Sequence, residues 1–73
     1  MSTAEDRIIA TMRRYLLPRS GESLMELSGL AAGDFYPAMF RLEQLGVVRS
    51  RWKASHLGVY RRRVYELSPE YPV

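Results

Sequence analysis

The spacing of apolar residues changes at Gly46, and this change constrains the fold more than any other feature of the sequence. Before Gly46, apolar residues recur every three or four positions, which is the period of an amphipathic helix. In residues 47–53, Val47, Arg49, Arg51 and Lys53 instead alternate with Val48, Ser50 and Trp52, as the two faces of a β-strand do. A second alternating stretch covers residues 60–67. The sequence therefore predicts an α+β chain in which three helices precede a C-terminal β-hairpin.

The first predicted helix runs from about Thr3 to Leu17. Thr3 is a good N-cap, and the carboxylate of Asp6 lies in the first turn, where it favours the positive end of the helix. Pro18 ends the helix because its ring cannot continue the backbone hydrogen bonds. The apolar stripe consists of Ile8, Ile9, Met12 and Leu16, with Tyr15 at its edge.

The second predicted helix begins at Ser23, after a polar link that has room for a token strand at most. Ser23 and Glu26 have the spacing of a capping box. Gly29 stands where a short helix needs a left-handed residue to end. The buried edge of this helix consists of Leu24, Leu27 and Leu30.

The third predicted helix begins at Asp34 and ends at Gly46. With Asp34 as the N-cap, Pro37 falls in the first turn, where its missing N–H costs nothing. A start at Ala32 would put Pro37 deeper and strain the helix, so the later start is preferred. The apolar positions are Phe35, Met39, Leu42 and Leu45.

The length and composition exclude several classes of protein. Seventy-three residues allow one domain, 1–73, with a small core. Without cysteine, and with one histidine, the chain is expected to hold no metal and no cofactor. No apolar run approaches the roughly 20 residues of a membrane span, and a cytoplasmic location, bacterial or phage-encoded, is expected. No nucleophile in the sequence can be paired with a general base, and Glu43 is expected to form a surface ion pair with a nearby arginine. An enzyme is therefore not expected.

The positive charge is concentrated in residues 44–65. The net charge is only +3, and residues 1–43 contain five basic and six acidic side chains. Residues 44–65 contain six basic side chains and no acid, which is the electrostatic footprint of a polyanion partner or a solvated basic face. These six are Arg49, Arg51, Lys53, Arg61, Arg62 and Arg63.

The second and third predicted helices, joined by a tight turn over residues 28–33, indicate a helix-turn-helix. In that motif the second helix enters the major groove of duplex DNA. Arg41 is then expected to contact a guanine edge or a phosphate, and Tyr36 a phosphate. Asp34 either caps the helix or accepts from a cytosine amino group, and capping is favoured.

The hairpin is the natural wing, which would lie on the DNA backbone or in a minor groove. Its candidate DNA contacts are Arg51, Lys53, His56, Arg61, Arg62 and Arg63. For His56 a solvent-exposed loop residue is the favoured interpretation over a phosphate contact. Trp52 and Tyr65 could stack on bases, although at strand positions beside a small core they are expected to pack.

Residues 29–39, Gly-Leu-Ala-Ala-Gly-Asp-Phe-Tyr-Pro-Ala-Met, resemble the turn and helix start of the PadR family of winged-helix regulators. Residues 41–48 and 62–69 look like the helix end and the wing of that family, and the resemblance covers about residues 24–70. It implies a double-stranded DNA-binding transcriptional regulator, usually a repressor, with Tyr36 and the wing arginines as DNA contacts.

Two departures from the family pattern affect the expected partners. Ala31 and Ala32 replace turn serines, which removes two hydroxyls that could contact phosphate. The C-terminal helical region through which PadR-like proteins dimerise, and around which their effector pockets form, is not in the sequence. Because a monomer with so small a footprint would bind DNA weakly, a homodimer through the first helix and the tail, or a partner regulator on the same DNA, is expected. The alternative is a winged-helix module that binds another protein and has only weak, non-specific affinity for DNA.

Overall fold

A computed structural model describes residues 3–54, 58 and 61–70 of the chain. Within these residues it contains three helices and a three-stranded antiparallel sheet, which confirms the predicted α+β class. The order of elements is compatible with a winged-helix-like fold. The elements are α1 (Ala4–Arg14), β1 (Arg19–Ser20), α2 (Gly21–Ser28), α3 (Ala32–Gln44), β2 (Val48–Ala54) and β3 (Arg61–Leu67).

Helix α1 begins as predicted and ends earlier. Thr3 Oγ1 accepts from the Asp6 N–H at 3.1 Å, and Asp6 Oδ2 accepts from the Thr3 N–H at 3.2 Å, so the two residues cap each other. The helix ends at Arg14 and not at Leu17, because the residue before Pro18 is disfavoured in helical conformation. The predicted position of Leu16 on the buried stripe is therefore wrong, and its side chain is 69% exposed.

Helix α2 begins at Gly21, two residues before the predicted start. Ser20 is the N-cap, and its Oγ accepts from the Ser23 N–H at 3.2 Å. Ser23 therefore lies inside the first turn, and its prediction as the cap is wrong. Gly29 ends the helix as predicted, with a left-handed φ of 73°, and its N–H donates to the carbonyls of Met25 and Glu26.

Helix α3 begins at Ala32, so the prediction of Asp34 as the N-cap is wrong. The backbone of Ala31 takes that place, and its carbonyl accepts from the N–H groups of Asp34 and Phe35 at 3.0 and 2.8 Å. Pro37 lies inside the helix, and the carbonyl that loses its usual partner is that of Gly33. Gly33 is exposed, so water can hydrogen-bond this carbonyl, and the earlier start is tolerated.

The strand order in the sheet is β1-β3-β2. Strands β2 and β3 pair from Val48 opposite Leu67 to Ala54 opposite Arg61, which confirms the predicted hairpin. Strand β1 pairs with Val64 and Tyr65, so over residues 61–63 no other described strand covers this edge of β3. No helix in the described part of the chain is long and apolar enough to cross a membrane.

The core lies between the three helices and the start of the hairpin. It consists of Ile8, Met12, Leu24, Phe35, Ala38, Met39, Leu42 and Val48. Most of these residues come from the predicted apolar stripes. Leu45, the last apolar position predicted for the third helix, does not join them, because α3 ends at Gln44 and the Leu45 side chain is 75% exposed.

Candidate nucleic-acid interface

The hairpin distributes its six cations over both faces of the sheet. Side chains alternate between faces along a strand, and cross-strand partners share a face. Val48 is buried in the core, so every second residue of β2 counted from Val48 faces the helices, and so do the partners of these residues on β3. Arg61 and Arg63 belong to this inner face. The outer face contains Arg49, Arg51, Lys53 and Arg62.

On the inner face, Arg63 connects the hairpin to α3. Its Nη2 donates to Ser50 Oγ at 3.0 Å and lies 3.5 Å from Glu43 Oε1, which confirms the expected pairing of Glu43 with an arginine. The guanidinium carbon lies 5.6 Å from the centre of the Tyr65 ring. This cation is therefore held against α3.

On the outer face, the two cations nearest the helices share one acid. Arg49 Nε lies 3.0 Å from Glu66 Oε1, and Arg51 Nε lies 3.7 Å from the same oxygen. Lys53 and Arg62 pair with no carboxylate within the described residues, and both are exposed. The uncompensated charge is therefore concentrated towards the tip of the hairpin.

A groove of about 580 Å³ lies between the start of α2, helix α3 and the edge of β3 over residues 61–63. Its walls contain Ser20, Gly21, Glu22, Ser23, Glu26, Tyr36, Arg62, Arg63 and Tyr65. Two guanidinium groups, several hydroxyls and the positive end of the α2 dipole meet here. Such groups bind phosphate. The carboxylates of Glu22 and Glu26, which are negatively charged, line the same groove.

Two tyrosines border this groove. A Cβ added to Gly21 would lie 3.4 Å from Tyr65 Cε2 and 3.6 Å from Tyr36 Cε1, so α2 begins in close contact with both rings. Burial raises the pKa of the Tyr65 hydroxyl above its ordinary value, although the charge of Arg63 opposes this. Tyr65 therefore stays neutral at physiological pH and can donate a hydrogen bond. Tyr36 packs edge-on against Phe35, with ring centres 5.0 Å apart, and remains 46% exposed.

The predicted contacts on α3 point in different directions. Asp34 is exposed in the first turn of the helix, and Tyr36 lies on the side of the hairpin. Arg41 lies on the side of α1, where its Nη2 donates to Glu5 Oε1 at 2.7 Å. This pair lowers the pKa of Glu5 and raises that of Arg41, mainly through the hydrogen bond between them. Predicted contact His56 lies outside the described residues.

Two exposed aromatic side chains were not expected at this surface. Trp52 is 62% exposed on the inner face of the hairpin, so the expectation that it packs is wrong. It lies opposite Arg63, beyond the reach of the core. Phe40 is 61% exposed on α3 and is not among the predicted contacts. Its spacing could have revealed it, since residue 40 lies opposite the stripe of Phe35, Met39 and Leu42 on a helical wheel.

No known protein family, characterised protein or solved structure matches the chain.

Proposed function

We propose that this chain is a winged helix-turn-helix protein that binds specific sequences of double-stranded DNA and regulates transcription. Helix α3 would enter the major groove, with α2 across the backbone. The hairpin of β2 and β3 would act as the wing, on the flanking backbone or in a minor groove. The resemblance of residues 24–70 to PadR-like regulators supports this reading and favours repression.

The observation that carries the proposal is the basic end of the hairpin beside the α2–α3 pair. Residues 51–54 and 61–63 are all exposed, and their charged side chains are all cations. Three residues, 29–31, separate α2 from α3, which is the length of turn that a helix-turn-helix uses. A projecting basic hairpin next to such a helix pair is suited to a polyanion with a regular groove.

The contacts divide into two groups by chemistry. Lys53, Arg61 and Arg62 would neutralise phosphates, because no described carboxylate pairs with them. Tyr36 would donate its hydroxyl to a phosphate beside the groove at the start of α2. Arg41 would have to leave Glu5 before it could contact DNA.

The dependence of affinity on salt should report these contacts. If three to six cations meet phosphates, the slope of log affinity against log salt lies between about −3 and −5. The lower value corresponds to the three unpaired cations of the hairpin. The higher value requires Arg49, Arg51 and Arg63 to exchange their carboxylate partners for phosphates.

The test is selection from a pool of randomised duplexes at near-physiological salt, followed by sequencing and by fluorescence-anisotropy titration of the enriched duplex. Enrichment of a defined motif is expected, and a palindromic motif would indicate a dimer. Salt-sensitive binding without any enriched motif would contradict sequence-specific regulation.

A second candidate is a winged-helix module that binds another protein. The observation in its favour is the uncharged, partly aromatic outer surface of α3, where Tyr36, Pro37 and Phe40 are exposed. A partner that remains bound after nuclease treatment, together with no enriched motif, would favour this reading.

A further inference from the structure

The outer surface of α3 is apolar at its centre. Phe35, Met39 and Leu42 turn towards the core, and Phe40 lies on the opposite side of the helix with 61% of its surface exposed. The exposed residues around it are Gly33, Tyr36, Pro37 and Gln44. None of these side chains carries a charge, and none is a long hydrogen-bond donor such as arginine or lysine.

The three charged residues of α3 lie to either side of this surface, with Asp34 on the same side as Arg41 because the two are seven residues apart. Arg41 is held by Glu5 of α1 at 2.7 Å, and Glu43 faces Arg63 of the hairpin at 3.5 Å. An arginine that reads a guanine edge aims two of its five guanidinium N–H donors at the O6 and N7 atoms in parallel. In this structure one of the Arg41 nitrogen atoms already donates to a carboxylate.

We propose that α3 recognises thymine through Phe40, which contacts the C5-methyl group in the major groove. This inference rests on the proposed function, and it specifies what the helix recognises. The thymine methyl is the apolar group that base edges present in the major groove, and aromatic side chains are among the groups that contact it. The DNA site is therefore expected to contain an A·T pair at the position that faces Phe40.

Charge complementarity argues for duplex DNA as the occupant of this surface. The groove beside Tyr36 is lined by Arg62 and Arg63 and also by Glu22 and Glu26, so the excess of positive charge on this side comes from Lys53 and Arg61 of the hairpin beyond it. Cations on this side attract phosphates, and a duplex held there would bring its major groove against the exposed ring of Phe40. An apolar contact of this kind adds selectivity to an otherwise sequence-independent attraction.

The test uses the duplex enriched by the selection described above. Each thymine is replaced in turn by uracil, which pairs identically and lacks only the methyl group. At the position that faces Phe40, the wild-type chain should lose affinity about fourfold, the effect of one buried methyl group. Phe40→Ala should bind thymine and uracil duplexes equally at that position. Leu45→Ala, an exposed leucine outside this surface, should retain the wild-type sensitivity.

The outcomes separate this inference from the proposed function. An enriched duplex that tolerates uracil at every position, or an enriched motif without an A·T pair, overturns the role of Phe40 and leaves DNA binding intact. The same holds if uracil still weakens binding by Phe40→Ala. If the selection enriches no duplex, the proposed function fails and the inference fails with it. Circular dichroism of each variant checks that a lost effect does not reflect unfolding.

Discussion

Arg41 of α3 and Glu5 of α1 form an ion pair across 36 residues of sequence, with 2.7 Å between Nη2 and Oε1. Both side chains remain partly exposed, so the pair can open when a stronger partner arrives. Arg41 was predicted from the sequence as a base or phosphate contact. If the proposed DNA binding holds, its position beside α1 makes Glu5 a competitor of DNA for the same guanidinium group.

Glu5→Gln should strengthen DNA binding, because it removes the carboxylate that competes for Arg41. If the released arginine reaches a phosphate, the slope of log affinity against log salt should become steeper by about 0.9. Anisotropy titrations at four or more salt concentrations measure this slope. In the wild-type background Arg41→Ala should change DNA affinity little, and a loss of more than tenfold would show that Arg41 contacts DNA despite Glu5.

The same pair predicts how Glu5 titrates. Arg41 holds the pKa of this carboxyl below its ordinary value of 4.5. The contribution of the pair to stability is therefore fully present above that ordinary value and is lost as the pH falls through the lowered pKa. An NMR pH titration of the Glu5 carboxyl should show the lowered pKa. In Arg41→Ala the pKa should return towards 4.5, and an unchanged pKa would argue against the pair in solution.

Arg62→Ala should weaken binding to all DNA sequences and make the salt slope shallower by about 0.9, because Arg62 lies beside the groove and pairs with no carboxylate among the described residues. Arg49→Ala is the matched control, since Arg49 lies on the same face of the sheet and is paired with Glu66. In Arg49→Ala the slope of log affinity against log salt should change less than in Arg62→Ala. Equal changes in both variants would mean that the hairpin binds DNA through the whole outer face and not through its tip.

Leu42→Ala should lower the free energy of unfolding by about 2–5 kcal/mol, since Leu42 is buried in the core. In a chain of this length that loss is enough to unfold much of the population. Leu45→Ala, three residues along the chain at an exposed position, should change stability by less than about 0.5 kcal/mol. Urea denaturation followed by circular dichroism measures both. A similar loss in the two variants would contradict the end of α3 at Gln44.

Gly29→Ala should destabilise the chain by about 1–2 kcal/mol, because a left-handed φ of 73° is strained for alanine. The added Cβ would also lie 3.1 Å from Nη2 of Arg7, which donates to the carbonyl of Ser28. At Gly33 φ is not positive and nothing lies within 4 Å of the added Cβ, so Gly33→Ala should raise stability by about 0.5–1 kcal/mol. Thermal unfolding compares the two, and destabilisation of equal size would contradict the turn geometry.

The sequence by itself determined the local structure. The change of period at Gly46 separated helices from strands, Thr3 and Gly29 marked helix ends, and the spacing of apolar residues identified most of the core. These features depend on backbone geometry and on hydrogen bonds between residues a few positions apart. The errors at Ser23 and Asp34 are also local. In each case the residue three positions earlier supplies the cap, and a side-chain motif does not reveal which acceptor the backbone uses.

Only the tertiary structure decided what the candidate interface presents. The register of β2 against β3 places Lys53 opposite Arg62 and Trp52 opposite Arg63. The packing of α1 against α3 brings Glu5 to Arg41, and the limited extent of the core leaves Trp52 exposed. Ion pairs and burial depend on which segments meet in space. A pattern of residues along the chain specifies the faces of each element, and packing decides which of those faces are covered.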